Sequence, residues 1–88
     1  MPKFLCLHTV PPKGVTIEQV KQVSQMSQSN KSAKGVRSFG SLADGKIGCI
    51  FEAATKQDVA DFFKNAKMPV DSITQMDFEG DHGNVTKL

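Results

Sequence analysis

Tryptophan and tyrosine are absent from this chain, cysteine and histidine occur only twice each, and no apolar run is long. Each shortage removes a class of protein. Two cysteines, Cys6 and Cys49, both inside apolar segments, are too few for the disulfide scaffold of a small secreted domain and read as buried thiols. No stretch of about 18 apolar residues offers a membrane span, and no basic start leads into an apolar segment, so the expected location is the cytoplasm. Acidic and basic residues, 9 and 11 of them for a net charge of +2, are scattered along the chain. Without a cluster of Lys or Arg, nucleic acid is not an expected partner. The seven glycines never form a Gly-rich turn leading from a strand into a helix, which argues against a phosphate cradle, and no Ser stands in a nucleophile-elbow pattern.

What is present suits one small domain. At 88 residues with 39% hydrophobic content, about 60 to 65% of the unfolded chain's surface can be buried. Such a thin core gains from association with a second copy.

The elements follow from periodicity and punctuation. Residues 3–10 form an apolar β-type run closed by Pro11-Pro12, with Phe4, Cys6 and His8 on one face and Leu5, Leu7 and Thr9 on the other. Thr16 followed by Gln19 is a capping-box pattern, after which Ile17, Val20, Val23 and Met26 or Ser27 recur at helical spacing as far as about Asn30. Residues 36–42 and 46–53 are short β-rich runs around Asp44-Gly45, a hairpin signature. Thr55 then caps a second helix with Asp58 three residues on; Val59, Phe62, Phe63 and Ala66 form its apolar stripe, and Pro69 lies past its end. Residues 70–78 give a last strand, with Val70, Ser72, Thr74, Met76 and Phe78 on one face and Ile73 on the other. Residues 79–88 read as a polar C-terminal tail, frayed or acting as an arm for a partner subunit.

The order β-α-β-β-α-β predicts an α+β domain over residues 1–78, a ferredoxin-like four-stranded antiparallel sheet with both helices on one face. Val20, Val23, Val59, Phe62 and Phe63 are the expected core of the helical layer. The other sheet face, bare and partly apolar, is expected to be covered by a second copy, giving a homodimer of the α/β-barrel type.

Few residues carry chemistry. His8 shares a face with Cys6, a spacing that brings two soft ligands together, against the plainer reading of a hydrogen-bonded strand-end histidine. Glu52, if Cys49 and Phe51 point inward, faces the bare side as a rim residue, a ligand or a general base. His82 and Asp81 add donors only if the tail folds back. Met26, Met68 and Met76 read as packing residues.

The opening Met1-Pro2-Lys3-Phe4-Leu5, His8, Gly14-Val15-Thr16, the segment Gly48-Cys49-Ile50-Phe51-Glu52-Ala53 and the connection Met68-Pro69-Val70-Asp71-Ser72-Ile73 resemble a family of small bacterial and archaeal proteins typified by a nickel-binding protein. The resemblance covers about residues 1–78 and implies a dimer of ferredoxin-like subunits, with metal binding in some members. Those relatives tend to place histidines in the two helices, where this chain has Gln19, Gln22 and Gln25, then Phe62, Phe63 and Lys64. Of a metal shell, His8, Cys49 and Glu52 remain, for a divalent ion such as nickel or zinc. The expected function is therefore a cytoplasmic homodimeric binding protein that holds a metal ion or small ligand at the sheet face. The alternatives are a small dimeric α/β-barrel enzyme, an isomerase or monooxygenase with His8 or Glu52 moving protons, and a structural or regulatory dimer without ligand.

Overall fold

The computed structural model describes residues 1–88. Its elements are β1 (Lys3–Thr9), α1 (Ile17–Ser29), β2 (Ala33–Ser41), β3 (Lys46–Ala53), α2 (Lys56–Asn65), β4 (Ser72–Gln75), β5 (Phe78–Asp81) and β6 (Asn84–Lys87). The first four strands form one antiparallel sheet in the order β2-β3-β1-β4, the ferredoxin-like arrangement.

Alternation decides which face is the core. Phe4, Cys6 and His8 of β1 and Ile47, Cys49, Phe51 and Ala53 of β3 are buried and meet the helices. Leu5, Leu7, Ile50 and Glu52 take the outer face. Both helices lie on the inner side: Phe51 packs against Phe62 and Phe63 of α2, and a Cβ added at Gly35 would meet Ser27 of α1.

Each helix starts as its sequence prescribes. The Thr16 hydroxyl accepts from the Gln19 N–H at 3.2 Å while the Gln19 side chain accepts from the Thr16 N–H at 2.8 Å, a complete capping box. Thr55 accepts from the Asp58 N–H in the same way. α2 ends in a Schellman motif, with the Met68 N–H on the Phe63 carbonyl and the Lys67 N–H on the Lys64 carbonyl. Its left-handed position, φ 55°, is occupied by Lys67 rather than glycine.

Four expectations need correction. β2 begins at Ala33, three residues before the expected start, because a bulge between Gly35 and Arg37 lets the pairing with β3 continue past it. The β2–β3 connection spans four residues, and only Gly45 has positive φ there; a Cβ at Gly45 would lie 2.0 Å from the Val10 carbonyl oxygen. The last strand of the main sheet stops at Gln75, so Phe78 does not belong to it. In place of a frayed tail, residues 78–87 form a second hairpin, turned by His82 (φ 49°) and Gly83 (φ 85°). Two consecutive positive φ values are what a tight hairpin turn needs, and the His-Gly dipeptide supplies them. Lys3 anchors this hairpin through Glu79 at 3.1 Å.

The helical layer is uneven. Val59, Phe62 and Phe63 are buried as expected, with Val59 0% exposed and Phe63 1%. Val20 and Val23 are only half-buried, contrary to expectation; Ile17 beside them is 56% exposed, and Ser27 is the one buried residue of α1. Small hydroxyl side chains at Ser24 and Ser27 occupy stripe positions where large apolar ones would draw the helix down.

Candidate functional site

His8 is 1% exposed and belongs to the core rather than to the bare face. Its Nδ1 lies 2.7 Å from the Pro69 carbonyl oxygen, and since a carbonyl only accepts, Nδ1 is the donor. The ring meets Phe63 edge-on at 4.6 Å. Its Nε2 is buried without a partner, a condition that costs about 1 to 3 kcal/mol in a folded protein.

Cys6 and Cys49 are directly opposite each other on β1 and β3, both buried and both free. Burial pushes the Cys6 thiol up to about 12, and Cys49 across the ladder adds to the rise. Burial also raises Cys49, offset in part by the hydroxyl of Ser38, which donates to its sulfur at 3.5 Å. Thiols held in this form are poor nucleophiles and poor metal ligands, because both roles need the thiolate.

Glu52 lies on the outer face, opposite Lys3 on one side and Lys34 on the other. The sheet therefore separates it from His8 and Cys49. No three His, Cys, Asp or Glu side chains gather anywhere in the chain as a metal site would require. Within one chain the expected set of His8, Cys49 and Glu52 does not fit a divalent ion. His82 and Asp81 pair with each other at 2.6 Å on the exposed hairpin turn, away from these residues.

The structure instead opens a cavity of about 380 Å³ between α1 and the β2–β3 side of the sheet. Its apolar wall includes Val20, Val23, Ile47, Phe51, Phe63 and Met68. Ser24, Ser27, Gln28, Ser38 and Cys49 supply its polar surface, while Lys21 and Arg37 border it. Neither His8 nor Glu52 lines it, so the proton-moving groups of the enzyme alternative are not on its wall. The part β2 plays in this wall was not legible. The bulge breaks the alternation of β2, so that four consecutive residues, Gly35 to Ser38, border the cavity, and a bulge leaves no clear mark in a single sequence. The signal that was present is the pair Ser24 and Ser27 in the inward stripe of α1.

The outer sheet face is the other feature without a partner. Leu7 is 45% and Phe39 55% exposed there, beside half-buried Leu5 and Ile50. The Phe39 ring lies over Gly48, where a Cβ would come within 3.0 Å of it.

Residues 4–76 match the family described as "Nickel responsive protein SCO4226-like". The chain belongs to this family. The matched span contains the segments 48–53 and 68–73 whose sequence carried the resemblance. The crystal structure of SCO4226 from Streptomyces coelicolor A3(2) is similar with a TM-score of 0.75, covering 89% of this chain and 99% of that one at 20% identity. At that identity the likeness establishes the SCO4226-like fold and nothing finer. No curated protein matches the chain.

Proposed function

We propose that this member of the SCO4226-like family is a homodimeric binding protein that holds a small ligand in the cavity between α1 and the sheet. The cavity carries the reading. It has the apolar wall and few polar groups typical of ligand sites, and it lacks an acid–base pair, since its only cysteine has a thiol pushed up by burial. A binding role suits such a wall better than isomerase or monooxygenase chemistry.

A second copy is the cover best suited to the outer sheet face. Leu5, Leu7, Phe39 and Ile50 make that face apolar, and two such faces with their strand ends bury on the order of 1,200 to 2,000 Å², as a stable interface requires. The β5–β6 hairpin, with Phe78 and Val85 exposed, is placed to add to it. Two free thiols fit a reducing compartment such as the cytoplasm. No helix is long and apolar enough to cross a membrane.

The nickel in the family's description is a second reading for this chain, supported by one observation, the buried, unpartnered Nε2 of His8. One imidazole is not a site.

Light scattering tests the assembly: the expected mass is twice 9.6 kDa, falling to the single-chain value in a Leu7→Lys, Phe39→Glu double variant. A single-chain mass for the unaltered protein contradicts it. Calorimetric titration with Ni²⁺ separates the two ligand readings. Stoichiometric binding with proton release, lost in His8→Phe, favours the metal; no uptake leaves the cavity as the ligand site.

A further inference from the structure

We infer that the cavity between α1 and the sheet takes uncharged apolar molecules and rejects their ionised analogues of either sign. This rests on the proposed binding role and specifies its ligand class.

The cavity is a wedge, and α1 makes it one. Along the inward stripe Ser27 is 1% exposed, Val23 and Val20 are half-buried and Ile17 is 56% exposed, so the helix stands farther from the sheet towards its N-terminus. Its other end is fastened to β2. The Gln28 side chain donates to the Gly35 carbonyl at 2.6 Å, Lys34 donates to the Gln28 carbonyl at 2.9 Å, and a Cβ at Gly35 would come within 2.7 Å of the Ser27 hydroxyl. Val20, Val23 and Met68 stay half-buried around the gap, whose wall includes the buried rings of Phe51 and Phe63. An apolar body seated there completes their removal from water, which is the driving force for binding.

The polar groups inside are already engaged. The Ser27 hydroxyl donates to the Ser24 carbonyl at 2.6 Å and accepts from the Gln28 amide at 3.3 Å, and the Ser38 hydroxyl donates to the Cys49 sulfur at 3.5 Å. Ser24 and Gln28 are exposed and belong to the mouth. A ligand that needed several hydrogen bonds would give up its water for few replacements.

No counter-charge awaits an ion. Asp, Glu and His are absent from the wall. Lys21 is exposed and lies 3.6 Å from Glu18 on the helix surface, while the register pairs Arg37 with Ile50 and so puts its side chain on the outer sheet face. Burial keeps the Cys49 thiol protonated and neutral. An ionic group drawn into the wedge would lose hydration without gaining a partner, a penalty that outweighs the apolar contact it brings.

The test is a titration of the isotopically labelled full chain with phenylbutanol, phenylbutyrate and phenylbutylamine, which share one apolar body and are neutral, anionic and cationic near neutral pH. Phenylbutanol is expected to shift the amides of Val20, Val23, Ser38 and Phe51 and to protect Cys49 from a neutral maleimide. Both ions should bind roughly tenfold more weakly, the loss expected for an unpaired charge brought to the mouth of an apolar site. Val23→Phe, which fills the wedge, should abolish binding; Cys49 protection is read on the unaltered chain, so it decides the matter if the filled variant misfolds. Either ion binding as tightly as phenylbutanol would overturn the preference for uncharged ligands and leave the binding role standing. Shifts confined to Leu7 and Phe39, bound phenylbutanol that leaves Cys49 unprotected, or no shifts with any of the three would overturn both.

Discussion

α1 and α2 start alike and settle differently. Each is capped by a threonine whose hydroxyl accepts from the third residue on, and each presents an apolar stripe to the same sheet face. Yet α2 drives Val59, Phe62 and Phe63 into the core, and α1 buries only Ser27. A cap and a 3.6-residue stripe thus determine that a helix forms and which way it faces. How closely it approaches depends on the volume of the stripe residues. The aromatic pair of α2 interlocks with Phe51 and His8 at 4.6 to 5.2 Å between ring centres. Serines at the matching places in α1 leave a cavity.

The largest expected effect follows directly. Phe63→Ala should destabilise the fold by about 3 to 5 kcal/mol, because it removes a buried aromatic against which His8, Phe51 and Phe62 all pack. Val20→Ala on α1, half-buried beside the cavity, should cost less than about 1 kcal/mol. Chemical denaturation of both variants breaks the comparison if the two losses are equal.

The caps should not discriminate between the helices. Thr16→Ala and Thr55→Ala are each expected to cost about 1 kcal/mol, since each loses the same hydrogen bond to a helix N-terminal amide. A much larger loss at Thr55 would mean that capping and packing are coupled in α2.

A smaller gain is expected at the end of α2. Lys67 holds the left-handed position of the Schellman turn at φ 55°, so Lys67→Gly should stabilise by about 0.5 to 1 kcal/mol through relief of that backbone conformation. Thermal melting of the single variant measures it.

The thiols sharpen the contrast from inside the sheet. Both have raised proton affinity in the folded chain, so folding leaves them protonated where the unfolded chain ionises. Their contribution is full below about pH 9 and is lost as pH rises towards the folded Cys6 value of about 12. Stability of Cys6→Ser should therefore fall less steeply than that of the parent over this alkaline range. Cys49 borders the cavity and Cys6 does not, so a neutral thiol reagent should modify Cys49 first. Faster modification of Cys6 would contradict the placement of the open space under α1.

Much of the architecture was readable because its signals are local. Both threonine caps, the pairing of β2 with β3 across Asp44-Gly45 and the inward alternation of Cys49 and Phe51 follow from spacing alone, and together they leave few topologies other than the ferredoxin-like one. The C-terminal hairpin was missed because its strands are short and polar and its turn uses His82 where Asn or Asp is the familiar signal. The site was legible only in part. Alternation put Glu52 on the outer face, but the expected metal set joined it to two residues of the opposite face, a separation visible in the same alternation. The cavity depends on how far α1 stands from the sheet and on a bulge, both consequences of three-dimensional packing.

Native-state hydrogen exchange of the whole chain tests the division between a packed α2 side and an open α1 side most directly, because it reads the opening free energy of each helix in one experiment. The account predicts that amides in the middle of α1 exchange at least tenfold faster than those of α2. Equal protection of the two helices without ligand would contradict it.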